Sequence, residues 1–230
     1  MKSIAIIPAR GGSKRIPNKN IKDFLGYPII KYVIETAIDS KCFDEVIVST
    51  DSKKIASLAE KFGASVPFLR SPKSSNDHAT TADVISEVIE NYRKRNNNFD
   101  FFCCLYPTSI FVTSQLLNSA FDQLKGDGLD GVISVMKYRH PIERAFKIDD
   151  GNLSMLYPEN VFGRTQDFVP KYHDAGQFYF MKTDAFLREK KIFTSNIRGF
   201  VLPFRYVQDI DTEEDWYLAE LKYNILKNQN

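Results

Sequence analysis

Two hydrophobic rhythms alternate along this chain. Ile4 to Ile7 form a short unbroken apolar run closed by Pro8, the pattern of a strand covered on both faces in a parallel sheet. After a polar loop, Ile30, Val33, Ile34, Ala37 and Ile38 recur at helical spacing behind Pro28, which stands where a first-turn proline fits. EVIVST reads as the next strand, and Ile55, Leu58, Ala59 and Phe62 as one face of a second helix ended by Gly63. VPFL reads as a short strand ending at Arg70. A helix from about Thr81 carries Val84, Ile85, Val88, Ile89 and Tyr92. The buried strand FFCCLY follows, then a helix with Leu116, Leu117, Ala120, Phe121 and Leu124, then the strand GVISV. Strand alternating with helix predicts an α/β fold, a mostly parallel sheet between two helical layers, with sites at the carboxyl ends of the strands.

Between Lys137 and His173 the rhythm breaks. Pro141, Gly151, Pro158, Gly163 and Pro170 punctuate short strand-like pieces, so residues 138–173 read as an arm inserted into a single domain spanning 1–230. GQFYFM and FVLPF then predict two more strands. TEED opens a last helix bearing Trp216, Ala219 and Tyr223, with Thr212 and Asp215 spaced as a capping box. No internal repeat or low-complexity segment interrupts the pattern, and KNQN at the end reads as frayed.

Composition narrows the class. A chain of 230 residues, 43% hydrophobic and 26% charged, closes one core without staples. Lys and Arg number 31 against 29 Asp and Glu, a net charge of +2, which argues against a dedicated nucleic-acid binder while leaving room for a local phosphate site. Cys42, Cys103 and Cys104 are odd in number, lack metal-ligand spacing, and read as buried thiols of a reducing compartment. The four-residue apolar stretch at the amino terminus is too short for a signal peptide or a membrane span, so a cytoplasmic protein is expected.

Candidate chemistry concentrates in PARGGSKRIPNKN, residues 8–20, directly after the first strand. Gly11, Gly12 and Ser13 would let backbone amides approach an anion, while Arg10, Lys14, Arg15, Lys19 and nearby Lys22 would neutralise phosphate charge. The glycine spacing fits neither the P-loop nor the dinucleotide fingerprint, and the loop taken alone reads equally as a solvated basic turn. In VQDIDTEEDW, Asp209 and Asp211 stand two apart. If extended, they would share a face suited to a hard divalent cation, although Asp211 also reads as a turn residue beside the cap. Arg70 reads as a surface ion pair or as a contact to a base or phosphate. Asp77, Thr80 and Thr81 precede a helix, so capping comes first and nucleotide contact second. His78, His140 and His173 are too scattered for a zinc site, and no nucleophile motif is present. Tyr106, Phe162, Tyr172, Phe178 and Tyr179 are core candidates whose clustering in the arm and near Asp174 also fits a sugar pocket.

With these residues in hand, the chain resembles the cytidylyltransferases that activate acidic nine-carbon sugars, the CMP-sialic acid synthetase group. The likeness runs over nearly the whole length: ARxxSKxxPxKN, FDEVIVSTD, GASVPFLR, PTS after FFCCLY, and DIDTEEDW, in order. It implies a nucleotidyltransferase sandwich, CTP and a nonulosonic acid as substrates, Mg2+ as cofactor, and a homodimer in which the arm closes the partner's sugar site. By resemblance Arg10, Gly11, Gly12, Ser13, Lys14 and Lys19 hold the triphosphate, with Arg10, Lys14 and Asp211 also serving catalysis. Asn20, Arg70, Asp77, Thr80 and Thr81 meet the nucleoside, and Asp209 and Asp211 the metal. Tyr106, Arg164, Asp174, Gln177 and Tyr179 meet the sugar. Two departures from the sialic-acid pattern stand out: Tyr106 precedes Pro107 where Gln is usual, and DAGQFY replaces NGAIY. YHDAGQFY, with FGRTQD before it, is similar to the family branch acting on pseudaminic acid for bacterial surface and flagellar glycans. Sialic or legionaminic acid is the rival substrate, and a silent nucleotide-binding protein the rival of another class.

Overall fold

The computed structural model of the chain describes residues 1–126 and 128–227; of KNQN, expected to fray, Lys227 ends the last helix and 228–230 fall outside the described residues. The elements, in order, are β1 (Ser3–Pro8), β2 (Asp23–Phe24), β3 (Tyr27–Pro28), α1 (Ile29–Ser40), β4 (Glu45–Ser49), α2 (Lys53–Lys61), α3 (Pro72–Ser75), α4 (Thr81–Arg93), β5 (Phe101–Leu105), α5 (Ser114–Gly126), β6 (Gly131–Lys137), β7 (Phe146–Asp149), β8 (Asn152–Met155), β9 (Tyr172–Lys182), α6 (Thr183–Glu189), β10 (Ile197–Val201) and α7 (Glu213–Lys227).

Six strands form the central sheet in the order β10-β6-β9-β5-β1-β4. Five run parallel, and β9 alone runs against its neighbours β5 and β6. The apolar runs are unbroken because alternate residues enter different cores. Ala5, Ile7, Cys103, Leu105, Phe178 and Phe180 pack toward α1, α2, α5 and α7, whereas Ile4, Ile6, Phe102, Cys104 and Met181 pack toward α4 and α6. Each large side chain so buried contributes on the order of 1.5–3 kcal/mol, which makes the three-layer sandwich self-sufficient. All three cysteines are free and buried, as expected, and burial pushes the Cys104 thiol up to about 12.

Three readings shift. VPFL is not a strand: only Ser65 bridges Ile47, and Pro67 has no N–H to donate. The strand placed at FVLPF lies earlier, at Ile197–Val201, because Pro203 cannot continue the ladder. GQFYFM extends back to Tyr172, so Tyr172 and His173 pair with Lys137 and Met136 in the sheet rather than belonging to the arm. Between them, residues 138–171 form the β7–β8 hairpin and three 3₁₀ turns lying outside the main sheet. At Gly131 a side chain would be impossible without movement, since a Cβ would sit 2.9 Å from the Phe180 carbonyl oxygen.

Candidate active site

The carboxyl ends of β1, β4 and β5 open into a cleft of about 370 Å³. The loop leaving β1 forms one wall. Asn20, buried at 7% exposure, donates from Nδ2 to the Arg10 carbonyl at 2.9 Å and so closes the loop on itself. Asp51, just past β4, accepts the Gly11 amide at 2.8 Å. That bond spends one of the two glycine amides expected to meet an anion, and Gly11 and Gly12 both lie outside the cleft lining. Ser13, Lys14, Arg15 and Lys19 line it, as does Arg10.

These cations already have carboxylate partners. Arg10 and Lys14 hold the two oxygens of Asp77 at 2.9 and 2.5 Å, and the bond from Lys14 above all keeps that exposed carboxyl below the usual carboxylate range. Arg15 and Lys19 hold Asp211 at 2.8 and 3.2 Å, while Lys19 also donates to the Ile210 carbonyl at 2.7 Å. Asp77 therefore stands as counter-ion to the basic loop, a placement the sequence did not signal. Asp209 faces the cleft beside Asp211; partial loss of hydration, then repulsion from Asp211, raises its carboxyl. Segment 207–211 joins no strand, yet it brings both carboxylates to the cleft.

On the opposite wall Arg70 is buried at 7% exposure, its Nε donating to Ser49 Oγ at 3.1 Å and its terminal nitrogen to the Ser49 carbonyl. Burial lowers its pKa, so the fold spends hydration to place this guanidinium on the cleft wall. Thr80 caps α4 in a full capping box with Asp83. Thr81 Oγ1 hydrogen-bonds Tyr106 Oη at 2.8 Å.

Tyr106 is also where the cleft meets a second hollow, of about 490 Å³; the two share Tyr106, Thr108 and Asp209. Burial pushes the Tyr106 phenol up to about 12, so it acts as a neutral hydroxyl. Its ring packs edge-on to Tyr179 at 5.7 Å, and Tyr179 donates to Asp174 Oδ2 at 2.7 Å. A register shift in the β6–β9 pairing, with Gly176 at φ +61° donating its amide to Asp174 Oδ1, swings Asp174 and His173 over the hollow.

Fourteen candidate positions thus gather at the two cavities. Gln177 does not: it is 2% exposed, its Nε2 donates to the Ala175 carbonyl, and its Oε1 is buried without a partner, so it lines neither cavity. Arg164 lies in the arm, ion-paired to Asp167 at 2.7 Å and lining neither cavity. Thr108 and Asp51 went unassigned, although PTS and STD carried the signal.

A basic cleft flanked by two carboxylates and opening onto an aromatic hollow fits an enzyme that moves a nucleotidyl group onto a second substrate. Residues 4–229 match the family model described as Cytidylyltransferase, and the chain belongs to that family. It is 41% identical to the pseudaminic acid cytidylyltransferase of Campylobacter jejuni subsp. jejuni over 226 residues, 98% of this chain and 97% of that protein. It is 35% identical to the CMP-N,N'-diacetyllegionaminic acid synthase of Legionella pneumophila, covering 96% and 95%. Among solved structures, a CMP:2-keto-3-deoxy-manno-octonic acid synthetase superposes with a TM-score of 0.72 over 99% of this chain and 100% of that one, at 19% identity, a likeness of fold.

Proposed function

We propose that the chain joins CTP to pseudaminic acid, giving CMP-pseudaminic acid and pyrophosphate for bacterial surface or flagellar glycans. The observation carrying this reading is the meeting of the basic cleft and the aromatic hollow at Asp209, in a chain so similar to a pseudaminic acid cytidylyltransferase. Arg10, Lys14 and Lys19 take the triphosphate, displacing Asp77. Arg70 and Thr81 border the nucleoside. The sugar lies in the hollow against Tyr106, Asp174 and Tyr179, its anomeric hydroxyl facing the α-phosphorus. The anomeric oxygen bonds to phosphorus as the bond to the β-phosphate breaks. The chain's task is orientation and neutralising the charge that grows on pyrophosphate.

Magnesium suits the donors. Among the described residues no cluster of three acidic, His or Cys side chains is set to hold a metal alone, while Asp209 and Asp211 supply hard oxygens that substrate phosphates and water would complete. When bound there, the ion supplies charge stabilisation at the reacting phosphate. A cytoplasmic homodimer completes the reading. The arm exposes Ile148, Phe162 and Val169 at 71, 95 and 74%, apolar surface that a second copy would cover, with Arg164 delivered to the sugar carboxylate of the other subunit. Among the described residues no helix is long and apolar enough to cross a membrane.

Pyrophosphate release with CTP and magnesium, offering pseudaminic and sialic acid in parallel, tests the reading. Release with pseudaminic acid alone, falling on the order of 10²-fold or more in Asp211→Ala, is expected. Equal use of sialic acid would overturn the sugar assignment, and no release with any nonulosonic acid would overturn the reaction.

A further inference from the structure

The segment joining β10 to α7, residues 202–212, carries both cleft carboxylates yet contains only one 3₁₀ turn, Phe204–Tyr206. Irregular backbone keeps one conformation only where its polar groups are tied down. Its far end is tied by Lys19 on the Ile210 carbonyl and by Asp215, which accepts the amides of Asp211 and Thr212 at 3.1 and 2.8 Å. Its near end is tied by Lys222 of α7, whose Nζ donates to the carbonyls of Phe204 at 2.9 Å and Val207 at 2.6 Å. The same ammonium lies 4.7 Å from the Phe204 ring centre and 4.9 Å from that of Phe111. Carbonyl dipoles and ring faces thus meet its charge from several sides. Lys222 lines neither cavity, whereas Phe204, Val207, Gln208 and Asp209 all line the hollow.

We propose that Lys222 is a positioning residue that clamps the Phe204 and Val207 carbonyls and thereby sets Gln208 and Asp209 at the border of the two cavities, touching neither substrate. The kinetic part rests on reading the hollow as the sugar site; the clamp itself does not. Two carbonyls three residues apart, drawn to one ammonium, fix the pitch of the turn, and the second lies only two residues before Asp209. Without the donor the turn keeps its own bonds, from the Tyr206 amide to the Pro203 carbonyl at 2.9 Å and from the Val207 amide to the Phe204 carbonyl at 3.2 Å, but loses both ties to α7 at once. The effect falls on the hollow's wall rather than on the basic loop across the cleft.

Lys222→Met keeps the stem and removes the donors; Lys222→Arg keeps donors. In the Met variant KM for pseudaminic acid rises about five-fold or more and kcat falls, KM for CTP stays within about two-fold, and Arg restores most of the loss. Independently of any substrate, amide hydrogen exchange over 203–211 quickens about tenfold in Met while exchange in α1 and α4 is unchanged. Lys222→Gln, with one donor left, gives the same split at smaller size if the Met chain does not fold. Unchanged local exchange, or faster exchange spread evenly over the chain, overturns the clamp; faster local exchange with both KM values unmoved overturns its role in the reaction. A wild-type protein that uses no nonulosonic acid sinks the sugar reading, and the exchange result then judges the clamp alone.

Discussion

The two cavities are built from opposite materials. On the basic loop the cleft presents cations such as Lys14, with its side chain 76% exposed, held by Asp77 or Asp211. The hollow is lined largely by aromatic rings beside Asp174 and Asp209, with Tyr179 3% exposed and bonded to Asp174. A charge that must meet a multiply charged, departing group is best kept loose and countered until the phosphates arrive. A group that must distinguish one sugar from its stereoisomers is best locked, because its selectivity depends on geometry. Salt should accordingly weaken the first kind of contact and spare the second.

Three changes break or sharpen this contrast. The largest effect is expected from Lys14→Ala, which removes charge from the leaving pyrophosphate and should lower kcat/KM on the order of 10²–10³-fold, roughly 2–4 kcal/mol of transition-state stabilisation. Steady-state kinetics checks this, and unaltered turnover would take Lys14 out of the mechanism. Tyr179→Phe comes next. Losing its bond to a carboxylate should raise KM for the sugar about tenfold while KM for CTP holds, and equal rises in both would dissolve the division between the cavities. Asp77→Asn is the smallest: freeing Arg10 and Lys14 should lower KM for CTP about two- to five-fold at low ionic strength, the gain fading at high salt. A raised KM would instead make Asp77 a direct ligand of the nucleotide, as the family resemblance implies.

Legibility followed locality. The unbroken run Ile4–Ile7 and the helical spacings of α1, α2, α4 and α5 were plain because burial on a sheet or along a helix face writes a short period into the chain. The capping box of Thr212 and Asp215 stands as its spacing implies. VPFL misled because β-branched and aromatic residues mark apolar burial as readily as ladder pairing, and only the tertiary neighbours decide which. Gln177 shows the same limit: alternation along β9 gives a side chain its face, but the register shift near Ser134 decides what that face meets.

The sequence alone determined the layers, the basic loop behind the first strand and the carboxylate pair before the last helix, since each rests on residues close together in the chain. Tertiary structure alone decided that Asp77 neutralises Arg10 and Lys14 across 67 and 63 positions, that β9 runs antiparallel to bring Asp174 beside Tyr106, and that Lys222 grips the turn leading to Asp209. Those pairings depend on where distant segments pack, and no local pattern records them.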